Sequence, residues 1–193
     1  MTHRCAALLL TAALPFAAVA EEPRYSYIEG GYQHLDIDGS GIDVDGDGLG
    51  LGGSLGLTDR VHLLASYSEV DLDFGIDVTQ FSAGVGGNLP MSGDVHLIGS
   101  VGYAWTEIDT NFGDADDDGF FLSGGVRWMV APAFELTGEV TYVDFDDAGD
   151  DTTLSVGGLF SLTPDLALGV GASFGDDITG YTVGLRYYFP GMR

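Results

Sequence analysis

Lysine is missing from this sequence altogether, and only six arginines oppose 30 acidic residues, for a formal net charge of −24. A surface so short of cations cannot hold a phosphate backbone, which excludes nucleic-acid binding. Cysteine is nearly absent too. The one thiol, Cys5, lies within the apolar leader, so the rest of the chain has no disulfide framework. Beyond residue 20 no run approaches the roughly 20 consecutive apolar residues of a membrane helix. Against only 6 prolines stand 31 glycines, each costing about 1 kcal/mol relative to alanine in a helix interior. These absences leave strand and turn as the expected structure.

The leader reads as an export signal. His3 and Arg4 precede an apolar run from Ala6 to Leu14, and Ala18, Val19 and Ala20 give the small-x-small cleavage pattern before Glu21. Cys5 is far from that point, so a lipoprotein anchor is not expected. Residues 1–20 are expected to be a cleaved secretory signal peptide and residues 21–193 a single domain of about 173 residues.

What is present after the leader is alternation. Leu49, Leu51, Leu55 and Leu57 share one face of a strand whose other face holds Gly50, Gly52, Ser54 and Gly56. Leu166, Leu168, Val170, Ala172 and Phe174 likewise oppose Ala167, Gly169, Gly171 and Ser173. The period of two, repeated in segments of about ten residues, is the pattern of a membrane barrel. It predicts strands over 25–36, 48–57, 61–72, 78–89, 95–108, 119–130, 134–145, 153–162, 166–174 and 178–189. Tight turns follow at 58–60, 90–94, 131–133 and 163–165. Acidic loops are expected at 37–47, 73–77, 109–118, 146–152 and 175–177. Short turns on one side and longer loops on the other give a periplasmic and an external end.

Charge follows the same division. Twenty-two of the 30 acids lie in or beside the five expected loops, and the arginines at 24, 60, 127, 186 and 193 lie elsewhere. Aromatics gather toward the loops (Tyr32, Tyr67, Phe81, Trp105) and toward the turns (Tyr25, Trp128, Phe134, Phe160), as two interfacial girdles require. A soluble sandwich fails here, because faces of glycine, serine and threonine cannot pack a core, whereas lipid solvates an apolar outer face. The expected fold is all-β, an antiparallel up-and-down transmembrane β-barrel of ten strands, with eight as the alternative.

The last segment runs Thr182, Val183, Gly184, Leu185, Arg186, Tyr187, Tyr188, Phe189. It resembles the carboxy-terminal assembly signal of outer-membrane barrels, carried here by Gly184, Tyr187 and Phe189. In this sequence Pro190 to Arg193 follow the aromatic, where the family's signal usually ends the chain. The whole chain after the leader is similar to the small OmpX-like and opacity-type barrels of Gram-negative outer membranes. The stretch Tyr27 to Tyr32 also resembles small barrels discussed as secreted signals or immune elicitors. The resemblance implies periplasmic chaperones and the barrel assembly machinery as partners, outer-membrane lipid and lipopolysaccharide as surroundings, and a monomer. It also implies eight strands as a frequent count.

Two groups of residues carry candidate chemistry. In the lumen, Arg127 stands opposite Thr137 across a turn, with Glu135 and Glu139 as diagonal neighbours, and Arg186 meets Glu29 if the last strand closes on the first. Salt-bridged filling of a narrow barrel is the expected role, because buried charges need partners; an ion gate is the alternative. In the loops, Asp43, Asp45 and Asp47, and again Asp114, Asp116 and Asp118, follow the first half of an EF-hand. Position twelve holds Ser54 or Gly125 instead of the bidentate acid. A solvated acidic surface is expected there, with weak calcium binding as the alternative and no other cofactor. His34, His62 and His96 have no serine elbow beside them, and no enzyme is expected. The leading expectation is a non-catalytic barrel serving envelope integrity or surface interaction. A cation-favouring channel and a calcium-dependent adhesin are the alternatives.

Overall fold

The computed structural model describes residues 22–39, 42–111 and 113–189; the leader and the last four residues lie outside them. The strands are β1 (Tyr27–Gly39), β2 (Ile42–Gly56), β3 (Val61–Leu72), β4 (Ile76–Pro90), β5 (Val95–Thr110), β6 (Gly113–Ala131), β7 (Phe134–Phe145), β8 (Gly149–Ser161), β9 (Leu166–Phe174) and β10 (Ile178–Tyr188). Each pairs antiparallel with its chain neighbours, and β10 closes on β1, giving a ten-strand barrel. The expected fold and strand number hold, and eight strands do not.

Alternation sorts the two faces. Leu49, Leu51, Val101, Leu122 and Val170 point outward with at least half of their surface exposed. The girdle residues Tyr32, Tyr67, Phe81, Phe120 and Tyr181 stand on that face too. In water this continuous apolar surface would be an association hazard; in lipid it is the solvated side.

The inner face is concave, and its glycines answer to that. A Cβ on Gly31 would lie 2.7 Å from the Cα of Gly184, its partner across the closing seam. One on Gly102 would lie 2.6 Å from the Cα of Gly84, its partner on β4. These glycines let strands approach where coiling is tightest, so they do not simply widen the lumen.

Several strands are longer than expected, mainly at the loop end. β2 starts at Ile42, β5 runs to Thr110, β6 starts at Gly113 and β8 at Gly149. Most of the residues expected in the acidic loops are therefore strand. Backbone hydrogen bonding does not require apolar side chains, so the ladder continues past the point where apolar alternation stops, at the cost of setting like charges opposite one another.

Candidate functional site

The turn-side end of the lumen is closed by the chain's own entry. Residues 22–26 precede β1, and Tyr25 and Ser26 are buried inside the barrel. Tyr25 was expected in the outer girdle; an aromatic at the start of a strand reads that way, but the backbone here runs inward before the first ladder bond. Its hydroxyl pairs with His96 Nδ1 at 2.9 Å, and its ring stacks on His62 at 4.9 Å. The Arg127 guanidinium lies 4.7 Å over the same ring. Burial pushes the Tyr25 hydroxyl up to about 12, against the opposing pull of Arg127.

Arg127 holds this plug in place. Its Nε donates to Glu135 Oε1 at 2.7 Å and its Nη2 to Oε2 at 3.0 Å, while Nη1 donates to the carbonyl of Arg24 at 3.0 Å. Arg24 itself reaches Asp165 at 3.0 Å and the carbonyl of Pro164. Ser26 accepts from the amide of Gly56. The entry segment is thus tied to the end of β2, to β6 and to the turn after β8.

The second lumen pair sits on the closing seam. Glu29 and Arg186 are directly opposed, and Nε and Nη2 of Arg186 donate to Glu29 Oε2 at 2.9 and 2.7 Å. Arg186 also covers the Tyr27 ring at 3.9 Å. Glu139 behaves differently from the expectation. Arg127 pairs in register with Thr137, as expected, yet both of its carboxylate bonds go to Glu135. Glu139 faces Gly125 on one side and Ser155 on the other, neither a cation. Among the described residues it has no ion pair.

Above the plug the lumen is uneven. On the β3–β6 side, Val70, Ala104 and Phe121 are buried and fill it. On the other side a cavity of about 480 Å³ extends between β1–β3 and β7–β10, walled by glycines, hydroxyls, Glu29, Glu139 and Arg186. A smaller cavity of about 90 Å³ lies toward the plug, walled by Ser54, His62, Arg127 and again Glu139.

Outside, the acids form a belt. Asp47, Asp71, Asp77, Asp109 and Asp114 pair in register from β2 to β6, each directly opposite the next. All stand on the outward face, two to six residues beyond the girdle. Glu107 opposes Asp116, Asp144 opposes Asp150, and Asp36 opposes Asp45. Sequence reasoning placed these acids in loops or at the strand ends beside them and missed the row; only register reveals it. His34 begins the row, with Nδ1 at 2.8 Å from Asp47 and Nε2 at 3.1 Å from Asp36, and Tyr32 donates to Asp47 as well.

The half-EF-hand segments do not form loops. Asp114, Asp116 and Asp118 lie outward on β6 and Asp45 and Asp47 outward on β2, roughly 7 Å apart along a strand. Among the described residues no three metal-ligating groups converge; the side chain of Asp43 lies outside them. Asp117 faces inward and accepts from the amides of Asp147 and Ala148, which ties β6 to the β7–β8 turn. Of the assembly-signal residues, Gly184 makes the close seam contact, and Tyr187 and Phe189 meet edge to face at 6.1 Å.

A closed barrel with an apolar outer face, two girdles and a polar interior is a membrane-spanning β-barrel. The chain belongs to the outer membrane protein beta-barrel domain family, which it matches over residues 5–174. No curated protein sequence matches it. Among solved structures, the transport unit of the autotransporter AIDA-I from Escherichia coli is similar at 10% identity, over 92% of this chain and 94% of that one, with TM-score 0.51. The outer membrane protein OprG from Pseudomonas aeruginosa is similar at 17% identity, over 89% and 99%, with TM-score 0.47. Ail, the attachment invasion locus protein of Yersinia pestis, is similar at 15% identity, over 85% and 97%, with TM-score 0.44. Identities this low speak for the fold alone.

Proposed function

We propose that this chain is a non-catalytic outer-membrane barrel that serves envelope integrity, its acidic belt engaging lipid headgroups through divalent cations. The observation that carries the reading is the row Asp47, Asp71, Asp77, Asp109 and Asp114, opposed in register on the lipid-side face just beyond the girdle. Directly opposed like charges repel. A hard divalent cation shared with a phosphate relieves that repulsion, and the headgroup zone of a lipopolysaccharide leaflet supplies both. The ion here bridges belt and lipid and needs no cage of protein ligands. The leader of residues 1–20 takes the chain to the periplasm, and Gly184, Tyr187 and Phe189 present it to the assembly machinery. A non-catalytic reading is favoured because both nitrogens of His34 face carboxylates and no nucleophile accompanies it. The test is the unfolding temperature in lipopolysaccharide vesicles with magnesium against chelator. A rise with magnesium that is absent in zwitterionic vesicles is expected; equal behaviour in both overturns the reading.

The cavity of about 480 Å³ favours one second reading, a small channel. The buried Tyr25 plug opposes it for the resting state. Planar-bilayer conductance separates the two: silence fits a plugged scaffold and steady openings fit a channel.

A further inference from the structure

We infer that the lumen holds a binding site for a small organic ammonium ion, centred on Glu139. Four charged side chains wall the two cavities, and three of them are spoken for. Arg186 pairs with Glu29. Arg127 gives two nitrogens to Glu135 and the third to the Arg24 carbonyl, so its charge is met. Glu139 alone has no counter-ion among the described residues, and it lies where the larger cavity meets the smaller.

The neutral groups around it point to the same ligand. His62 and Ser54 wall the smaller cavity, are 8% and 6% exposed, and leave Nδ1 and Oγ without a partner. Buried polar atoms without a partner are uncommon, and a small rotation of either side chain offers them to a hydrogen-bonding guest. A neutral imidazole nitrogen and a hydroxyl oxygen accept hydrogen bonds, and so does the carboxylate. Ser155 directly opposite Glu139 and Thr137 on the same face add hydroxyls. One carboxylate among neutral acceptors suits an ammonium group, which brings one charge and up to three donors. It does not suit a metal ion, since a hard cation takes about six or more oxygen ligands and no three metal-ligating side chains converge among the described residues. It does not suit an anion, since neither arginine is free.

Space and access agree. The larger cavity falls in the range of about 300–1,000 Å³ typical of small-molecule sites. Ser66 and Thr182 wall it, face inward, and are nonetheless exposed. The plug closes the other end, so the site is a blind well rather than a passage.

The experiment is calorimetric titration of the refolded barrel with 1,4-diaminobutane at about 0.15 M salt, with 1,4-butanediol as the neutral control. Folding of every variant is checked by heat-shift gel. Saturable one-site binding is expected for the native chain, with none for the diol. Glu139→Gln is expected to weaken binding at least tenfold. Ser155→Lys, which sets a built-in cation opposite Glu139, is expected to abolish it. A combined Asp71→Asn, Asp77→Asn, Asp109→Asn, Asp114→Asn variant is expected to bind as the native chain does. No saturable binding to the native chain overturns the inference. So does undiminished binding in folded Glu139→Gln or Ser155→Lys, or loss confined to the belt variant, which would assign the diamine to the outer surface.

Discussion

Arg127 and Glu135 face each other across the β6–β7 turn as a two-pronged pair, 2.7 and 3.0 Å, with each side chain only 5% exposed. Arg127 is opposite Thr137 in register, and Glu135, opposite Met129, reaches it as the diagonal neighbour on the turn side. Removing one partner strands the other charge in a dry site. Arg127→Met is therefore expected to cost about 3–5 kcal/mol, whereas the double change Arg127→Met with Glu135→Leu recovers most of it. Urea unfolding of the refolded barrel measures both, and a double variant no more stable than the single one contradicts the account.

Tyr25 should control whether the lumen conducts. Its ring lies among His62, His96 and Arg127, and the entry segment hangs on it. Tyr25→Ala removes the plug's aromatic body, and Tyr25→Phe removes only the hydroxyl. Bilayer recordings are expected to be silent for the native chain and for Tyr25→Phe, and to show openings for Tyr25→Ala. Silence in folded Tyr25→Ala means the remaining side chains close the lumen by themselves.

The same residue sets an alkaline limit. Burial raises the folded-state value of Tyr25 from 10.0 to about 12. A raised value means the folded state holds the proton more tightly, so the stabilisation is complete below 10 and is lost as pH climbs through 12. Phenolate absorbance should show one tyrosine titrating near 12 in the native chain and missing from Tyr25→Phe, with the plug loosening over that interval. Its appearance at the ordinary value shows that the hydroxyl is solvated.

Much of this arrangement was legible in the sequence, and the rest was hidden for physical reasons. The bounds of β3, β7 and β9 match the expected segments because turn residues such as Thr58, Pro132 and Pro164 end the apolar alternation where the strand also ends. At the loop end β2, β5, β6 and β8 diverge from the expected segments: these strands continue into water, and side-chain polarity no longer reports on backbone pairing. Arg186 opposite Glu29 followed from closing the last strand on the first. The isolation of Glu139 did not follow, since Glu135 and Glu139 are both diagonals of Arg127 in one register and only the side-chain geometry shows which of them it takes. Tyr25 was illegible for a similar reason, as nothing local says which way a chain turns before its first ladder bond.

Glycine positions should divide sharply by face. At Gly184 a Cβ would sit 2.6 Å from the Gly30 carbonyl oxygen, and at Gly31 it would sit 2.7 Å from the Gly184 Cα, so alanine at either forces the closing strands apart. A Cβ on Gly124 or Gly138 meets nothing within 4 Å. Gly31→Ala and Gly184→Ala are expected to lose the heat-modifiable folded band on gels, and Gly124→Ala and Gly138→Ala to keep it. Tolerance at the seam would show that the strands part easily there.

The acidic belt carries a cost that depends on what surrounds it. Each step from Asp47 through Asp71, Asp77 and Asp109 to Asp114 sets one carboxylate against another, and directly opposed like charges destabilise a sheet. Screening by monovalent salt relieves exposed charges only in part, and it does so without regard to lipid. Bridging by magnesium or calcium to lipid phosphates relieves them specifically, in a lipopolysaccharide leaflet. Changing Asp71, Asp77, Asp109 and Asp114 to Asn together is therefore expected to raise the unfolding temperature in chelator, by roughly a few degrees. The same change should flatten the dependence on divalent ions. In lipopolysaccharide vesicles with magnesium the order should reverse, the native chain becoming the more stable, because only it has carboxylates to bridge. A variant that is more stable under every condition would mean that the belt repels without binding, and that its place beside the girdle serves something other than the lipid.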